Sequence, residues 1–212
     1  DKSVALCAVL SAVTRQTLET APGFIMDAPT YGSGKTFLAN TLALLVTGKN
    51  GAMTPAIKGN NEPEISKVLL SLLMTAPQTI IWDNVEGAFN STTIATLLTS
   101  DKYNGRVLGA SKTVDVPNRA SFYITSNNAQ VHSDLARRFL TIRMDTKEQN
   151  AIDAIRDYSE LGGLHTKDFV IQNRQRLVMA AITIIKAWLV SEERKQHGKL
   201  SANLLPSYEL WD

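Results

Sequence analysis

One segment restricts the possible folds of this 212-residue chain more than any other: residues 29–36, which read PTYGSGKT. An apolar run bounded by breakers, residues 23–27, precedes it, and a predicted helix over residues 35–46 follows it. In a strand, glycine-rich loop and helix of this order, backbone N–H groups converge on phosphate oxygens and the helix N-terminus adds positive charge. The segment therefore predicts an α/β fold with a phosphate-binding loop.

The loop matches the pattern G-x-x-x-x-G-K-[ST] except at its first position, where Pro29 stands in place of glycine. In such a loop Lys35 neutralises the outer phosphates of a nucleotide, and the Thr36 hydroxyl holds Mg²⁺. The alternative is a chance turn before a helix, which the order of strand, loop and helix disfavours. The predicted contact residues are Pro29, Thr30, Tyr31, Gly32, Ser33, Gly34, Lys35, Thr36 and Phe37.

An acid at the end of a second apolar strand completes this kind of site, because it binds the water shell of the magnesium ion. Asp83 follows the apolar residues 79–82 and fits that role. Many ATPases place a catalytic glutamate directly after this aspartate, whereas Asn84 stands there in this chain. The sequence therefore leaves open which group orients or deprotonates the attacking water. Glu86 and Glu64 are candidates, although an ordinary protein surface carries carboxylates of the same kind.

Five apolar segments alternate with helical patterns. The predicted strands are residues 23–27, 52–57, 79–82, 120–125 and 139–144, and the predicted helices are residues 2–20, 35–46, 62–74 and, after a cap at Ser91, 92–98. The alternation predicts a parallel five-stranded sheet with helices on both faces, in which Pro55 favours an edge position for the second strand. A hairpin is predicted with arms at 106–108 and 113–116, and a short helical stretch at 134–138.

After residue 145 only helices are predicted, over residues 147–160 and 167–195. We therefore expect an α/β nucleotide-binding subdomain at 1–146 and a small all-helical lid subdomain at 147–212. Residue 1 is Asp rather than Met, and the last residues look like the entry to a further region, so a module of a longer protein is expected.

Composition excludes several other classes of protein. With 44% hydrophobic residues the chain can bury a sizeable core, and its single cysteine excludes an internal disulfide and favours a reducing compartment. The longest apolar stretch, residues 177–190, is interrupted by Thr183 and Lys186 and is too short to span a bilayer. Residues 101–146 contain seven basic and four acidic residues, net +3, which an ordinary solvated surface also explains. The histidines His132, His165 and His197 lack metal-ligand spacing and are expected to be structural or exposed.

The chain resembles AAA+ ATPases. The resemblance rests on Walker A at residues 32–36, Walker B at residues 80–83, a strand leading into residues 126–128 (SNN), and residues 134–139 (DLARRF) before a final strand. Within that superfamily the chain is most similar to the ATPase modules of phage and plasmid replication proteins, the primase-helicases related to superfamily three helicases. The supporting segments read APTYGSGKT, IIWDNVEG, GRVLGASKTVDVPNRA, ITSNN, DLARRF and SYELW.

The resemblance implies that Asn127, or its neighbour Asn128, is the sensor that positions the lytic water against the γ-phosphate; an Asn-Asn turn after a strand is the alternative. Arg137 and Arg138 match the arginine-finger region, with Arg138 slightly preferred. A finger reaches the nucleotide of a neighbouring subunit, so the resemblance implies a homo-oligomer, a hexameric ring. One of the two arginines can instead pair locally with Asp134.

The hairpin lies between Walker B and the sensor. In superfamily three helicases a hairpin at this place points into the central pore, where a basic residue contacts the DNA backbone. Lys112 lies near the tip here, and Arg106 and Arg119 flank the hairpin. Contacts of this kind give affinity without sequence readout. A solvated turn is the alternative for Lys112, and service to a neighbouring nucleotide site is the alternative for Arg106.

The resemblance thus implies an ATP-hydrolysing motor that uses ATP and Mg²⁺. The expected function is a replicative DNA helicase or translocase of a phage or plasmid, acting on single-stranded or forked DNA in the cytoplasm of a bacterial host. Other replication proteins or a fused primase are further expected partners, and no membrane is expected. The alternatives are a nucleotide-gated helicase loader or assembly switch without unwinding activity, and an isolated ATPase of a defence or packaging system.

Overall fold

The computed structural model describes residues 2–57, 61–107, 109, 112–131, 133–144, 158–192 and 208. Its strands are β1 Gly23–Asp27, β2 Ala52–Pro55, β3 Thr79–Val85, β4 Ala88–Phe89, β5 Lys102–Arg106, β6 Thr113–Pro117, β7 Ser121–Ser126, β8 Gln130–Val131 and β9 Phe139–Arg143. Its α-helices are α1 Lys2–Thr14, α2 Lys35–Thr47, α3 Glu62–Leu73, α4 Thr92–Leu98 and α5 Thr166–Val190. Short 3₁₀ helices lie at Arg15–Thr17, Ser133–Arg138 and Ser159–Leu161.

Five strands form one parallel sheet in the order β2-β3-β7-β1-β9. This confirms the predicted five-stranded parallel sheet, and β2, which contains Pro55, lies at its edge as expected, since proline cannot donate to a ladder. The chain leaves β1 towards the β2 side of the sheet and later crosses from β7 to β9 on the other side of β1. Such a switch point opens a crevice at the carboxyl ends of the strands, which is where open α/β sheets bind ligands.

Successive side chains of the central strands enter cores on opposite faces of the sheet. Phe24 and Met26 of β1 pack with residues of α1 and α2, whereas Ile25 packs with residues of α3 and α4. Both faces are therefore buried, which is why these strands read as continuous apolar runs rather than as alternating patterns. A Cβ at Gly23 would lie 2.2 Å from a ring carbon of Phe139, so only glycine lets β1 and β9 approach here.

The prediction of α1 as far as residue 20 is wrong, because the helix ends at Thr14. The next residue, Arg15, is buried and donates to the carbonyl oxygens of Leu18, Asn118 and Ala120 at 2.7 to 2.9 Å. Burial is the largest cause that lowers the pKa of Arg15, to about 10, and the nearby Arg119 lowers it further. A continued helix would place Leu18 elsewhere and lose one of these bonds.

The hairpin is confirmed, with arms Lys102–Arg106 and Thr113–Pro117, so its first arm begins four residues before the predicted start. The added residues pack on α3: the Tyr103 hydroxyl lies 2.8 Å from Ser66 Oγ, and Gly105 faces Leu70 so closely that a Cβ would clash. This arm has no apolar run, which is why its sequence did not predict a strand.

Helix α5 packs on the face of the sheet that carries α1 and α2. The Arg174 guanidinium donates to the carbonyl oxygens of Leu45 and Val46 at 2.8 and 2.7 Å, which satisfies the C-terminus of α2. The helix predicted over 147–160 and the boundary near 146 fall largely outside the described residues and remain predictions. In the described part of the chain, no helix combines the length and the apolar character that a membrane span requires.

Candidate functional site

A pocket of about 410 Å³ lies at the carboxyl edge of the sheet, beyond β1, β3 and β7. It is lined by Tyr31, Gly32, Ser33, Gly34, Lys35, Thr36, Phe37, Asp83, Asn84, Thr125 and Asn127. The pocket lies at the switch point of the sheet, and its volume is in the range that holds a small ligand, about 300–1,000 Å³. The structure therefore brings together the glycine-rich loop, the acid after β3 and one of the two candidate sensors. Of the loop residues predicted to contact a ligand, Pro29 and Thr30 are not among the lining residues.

The loop depends on glycine at two positions. Gly32 and Gly34 have φ angles of 73° and 90°, in the left-handed region that glycine enters without steric cost. Gly34 is the N-cap of α2, and no described side chain accepts a hydrogen bond from the first turn of that helix. The uncapped N–H groups and the helix dipole together favour an anion at this end of α2.

Lys35 is buried, with 8% of its surface exposed. Its ammonium donates to the Thr30 carbonyl oxygen at 3.0 Å and to Ser33 Oγ at 2.9 Å, which uses two of its three N–H groups. Burial lowers the pKa of Lys35, while Asp27 and Asp83 act to raise it. The buried cation keeps one donor for an oxygen that enters the pocket, and an anionic ligand would stabilise it.

Thr36 and Asp83 meet as the sequence predicted. Thr36 Oγ1 donates to Asp83 Oδ1 at 2.8 Å, and Thr125 Oγ1 donates to the same oxygen, also at 2.8 Å. The described residues contain no cluster of three or more His, Cys, Asp or Glu side chains that could enclose a metal ion. A hydroxyl and one carboxylate nevertheless fit Mg²⁺, which keeps several waters and commonly takes one or two protein oxygens together with phosphate oxygens.

Thr125 is a site residue that the sequence reasoning missed. A bulge in β3 places Asp83 and Asn84 opposite this one residue of β7, since Trp82 pairs with Ile124 and Val85 pairs with Ser126. The Thr125 hydroxyl donates to Asp83 and accepts a hydrogen bond from the Asn84 backbone N–H at 2.8 Å. Asn84 sits in the left-handed region with φ of 59°. The one signal in the sequence that could have marked Thr125 as a site residue is its position at the end of a predicted strand, where the carboxyl ends of parallel strands meet.

On the expectation that this pocket hydrolyses ATP with Mg²⁺, we predict that Thr125→Val lowers the apparent affinity for Mg²⁺ by about 10- to 100-fold, the usual cost of losing a residue that orients a metal ligand. Valine keeps the shape of threonine but removes both hydrogen bonds, so Asp83 and the bulge lose their restraint. Thr125→Ser keeps the hydroxyl and serves as the matched control. The measurement is hydrolysis rate against Mg²⁺ concentration, and a Val variant with wild-type Mg²⁺ dependence would refute the role.

A chain of polar side chains leads out of the pocket. Asn127 Nδ2 donates to Asn84 Oδ1 at 3.0 Å, and Asn84 Nδ2 donates to Glu86 Oε1 at 3.0 Å. Asn127 Oδ1 is buried and has no hydrogen-bond partner among the described residues. Leaving a buried acceptor unpaired is costly, so a donor in the pocket, such as a bound water, would be stabilised there.

The candidates for the sensor and the base lie in different places. Asn127 lines the pocket, whereas Asn128 donates its backbone N–H to Asp27 Oδ1 at 2.8 Å and accepts from Arg143 at 3.0 Å. Glu86 does not line the pocket either, but it is joined to the pocket through Asn84, whose Nδ2 donates to Glu86 Oε1. Glu64 is not among the lining residues, and its carboxylate pairs with Lys67 at 3.3 Å on the exposed side of α3.

The two candidate finger arginines differ in burial although both pair with Asp134. The Arg138 side chain is 14% exposed and donates to the Ala95 carbonyl oxygen at 2.8 Å and to Thr99 Oγ1 at 2.5 Å. The Arg137 side chain is 61% exposed. The slight preference for Arg138 is therefore not supported, because its guanidinium braces the 3₁₀ segment against α4.

The three basic residues of the hairpin region differ in solvent exposure and in hydrogen bonding. Lys112 and Arg106 are exposed, and the carbonyl oxygen of Lys112 accepts from Val107 N–H at 2.9 Å, closing the arms. Arg119 is half-buried and donates to the Leu18 carbonyl oxygen at 2.5 Å. None of the three lines the pocket, and Arg119 is held at the base of the hairpin.

Neither a scan against protein-family models nor a search of curated proteins finds a match. Among solved structures the chain is similar to an apo structure of the NrS-1 C-terminal region, with a TM-score of 0.52 and 18% identity over 85% of this chain and 41% of that one. The likeness shows the fold. A second apo structure, of NrS-1 residues 305–718, gives a TM-score of 0.50 and 18% identity over 84% of this chain and 40% of that one.

The chain thus spans about two fifths of the NrS-1 region that it matches. A more distant likeness is to JCV helicase bound to an acetamide compound, with a TM-score of 0.42 and 14% identity over 94% of this chain and 65% of that one.

Proposed function

We propose that this chain is an AAA+ type ATPase module and that its pocket binds ATP with Mg²⁺. The observation that carries the proposal is the meeting of Thr36 and Asp83 at 2.8 Å, beside a glycine-rich loop and a buried lysine. Thr36 lies in the first turn of α2 and Asp83 lies in the carboxyl-terminal half of β3, so the two meet only in the folded chain. Their chemistry is that of a triphosphate site: N–H donors, one cation and hard oxygen ligands.

In this proposal the loop N–H groups and Lys35 bind the β- and γ-phosphates, and Thr36 and Asp83 hold Mg²⁺, Asp83 through its water shell. A bound Mg²⁺ neutralises charge that develops on the transferred phosphoryl group. Thr125 holds the Asp83 carboxylate, and the helix dipole of α2 adds positive potential at the phosphates. The loop and Lys35 would thereby hold the γ-phosphate in one position for attack.

Water attacks the γ-phosphorus, the bond to the bridging oxygen breaks, and ADP leaves with the bond electrons. Asn127 Oδ1, the unpaired buried acceptor, accepts a hydrogen bond from that water and so orients it. Glu86, held by Asn84 at 3.0 Å, is the carboxylate that the geometry favours as the acceptor of the water proton, ahead of Glu64. Asn84, at the position where many ATPases have glutamate, then positions both Glu86 and Asn127.

We further assign to the module a role in DNA unwinding or translocation during replication of a phage or plasmid. The β5–β6 hairpin supports it, since it lies between the Asp83 strand and the Asn127 strand and exposes Lys112 and Arg106. Hydrolysis in one subunit of a ring would shift the next and move such hairpins along a strand. Arg137, exposed on the 3₁₀ segment, is the residue available to a neighbour's nucleotide.

This assignment predicts that Lys112→Ala weakens binding to single-stranded DNA and makes the slope of log affinity against log salt shallower by about 0.7, because the variant neutralises one phosphate fewer. Lys102→Ala is the matched control, because Lys102 is also exposed but lies at the base of the hairpin. Fluorescence anisotropy at several salt concentrations measures both quantities. Unchanged affinity and slope in Lys112→Ala would remove the hairpin from DNA binding, and ATP-dependent partner binding without unwinding would favour a loader or switch.

A further inference from the structure

An aromatic cluster adjoins the pocket where α5 begins. The rings of Phe37 and His165 meet nearly at right angles, 88°, with centroids 5.3 Å apart, and the ring of Tyr158 lies 5.2 Å from that of His165. The ammonium of Lys167 lies 5.4 Å from the centroid of Phe37. We call these four residues the aromatic corner. Phe37 also lines the pocket, so the corner and the loop share a wall.

The packing of α5 on α2 brings the corner to the phosphate end of the pocket. Arg174 binds carbonyl oxygens at the C-terminus of α2, and His165, the N-cap of α5, contacts Phe37 in the first turn of α2. The two helices therefore run in the same direction, with both N-termini beside the loop. Residues distant in sequence meet there, whereas the sequence alone, in which His165 lacks metal-ligand spacing, predicts only a structural or exposed histidine.

The corner adds contacts between α2 and α5, but the buried apolar contacts between them lie farther along both helices. Those contacts are made by Leu44, Leu45 and Val170, with Leu177 and Val178 packed against them. His165 is exposed, and Phe37 and Tyr158 are only half-buried. Phe37 lines the pocket, and the rings of His165 and Tyr158 continue from it with accessible surface, an arrangement whose shape and chemistry can receive another flat ring.

We propose that the aromatic corner binds the nucleobase of the triphosphate and makes the site selective for purine nucleotides. This inference rests on the proposed function, because the loop must first hold the phosphates. A base stacked on one ring presents its edge to the ring at right angles, and both arrangements are favourable. The larger surface of a purine gains more from stacking than a pyrimidine does, and Lys167 adds N–H donors for acceptors on the base.

The test measures, by calorimetry in the presence of Mg²⁺, how tightly the unmodified chain and its variants bind two ligands. The ligands are the non-hydrolysable ATP analogue AMP-PNP and inorganic tripolyphosphate. His165→Ala and Tyr158→Leu are each expected to weaken AMP-PNP binding by about five- to tenfold, the lower range for loss of one base-stacking ring. Binding of tripolyphosphate, which has no base, is expected to stay within about twofold. Trp188→Ala, which removes another exposed ring from α5, is the matched control and is expected to change neither.

Equal loss of both ligands in the corner variants, or no loss of either, would overturn the inference. If the unmodified chain binds both ligands equally well, the inference fails while the phosphate site stands; if it binds neither, the proposed function fails with it. Melting temperatures identify a variant that does not fold, and His165→Ala, at an exposed position, keeps the test decisive if Tyr158→Leu unfolds. The KM values for ATP, GTP, CTP and UTP give a second readout, since a purine preference must diminish in His165→Ala.

Discussion

Lys35→Ala is expected to lower the rate of ATP hydrolysis by on the order of 10³-fold, the upper range for loss of one group that stabilises transition-state charge. Lys35 is the cation whose ammonium the structure places inside the pocket wall, on the Thr30 carbonyl oxygen and Ser33 Oγ. Its burial makes the charge strong, because little water screens it. Alanine leaves the loop with backbone N–H groups as its only phosphate donors, and Mg²⁺ does not replace the lost ammonium.

The measurement is phosphate release at saturating ATP and Mg²⁺. Lys49→Ala is the matched control, since Lys49 follows the other end of α2 and is exposed. The melting temperature of Lys35→Ala must stay close to that of the unmodified chain, because a loss of fold would also abolish turnover. A folded Lys35→Ala that keeps its turnover would rule out this loop as the catalytic phosphate site.

Those parts of the site that depend on local signals were predictable from the sequence. β1 has the predicted bounds, and α2 extends one residue beyond them, since breakers and glycines mark the ends of both. The meeting of Thr36 and Asp83 followed from one rule, that the carboxyl ends of parallel strands share an edge. The prediction needed no knowledge of which strands are neighbours.

Those parts that depend on register or tertiary packing were not predictable. Thr125 acts at the site only because a bulge in β3 shifts the pairing by one residue, and the bulge has no local sequence signal. Arg15 finds its acceptors at Asn118 and Ala120, more than 100 positions away along the chain. His165 reaches Phe37 only through the docking of α5.

The roles of the adjacent residues Arg137 and Arg138 were likewise not predictable from the sequence. Their local sequence is shared, so only burial separates their roles, and the geometry predicts opposite phenotypes. Arg137→Ala should leave the melting temperature unchanged and lower hydrolysis by at least about 10³-fold, the usual effect of removing an arginine finger. Arg138→Ala should lower the melting temperature by about 5 °C, because it breaks bonds to Ala95 and Thr99 and leaves Asp134 less compensated.

Mixing decides whether Arg137 acts on a neighbour. Arg137→Ala subunits keep an intact pocket, and Lys35→Ala subunits keep an intact arginine, so neither alone hydrolyses ATP. In rings assembled at random from equal amounts, about one interface in four pairs a sound pocket with a sound arginine, and about a quarter of the unmodified activity should return. No recovery from a mixture that still assembles would mean that Arg137 does not act in trans. A folded Arg138→Ala that is inactive alone and recovers activity when mixed with Lys35→Ala would assign the finger to Arg138.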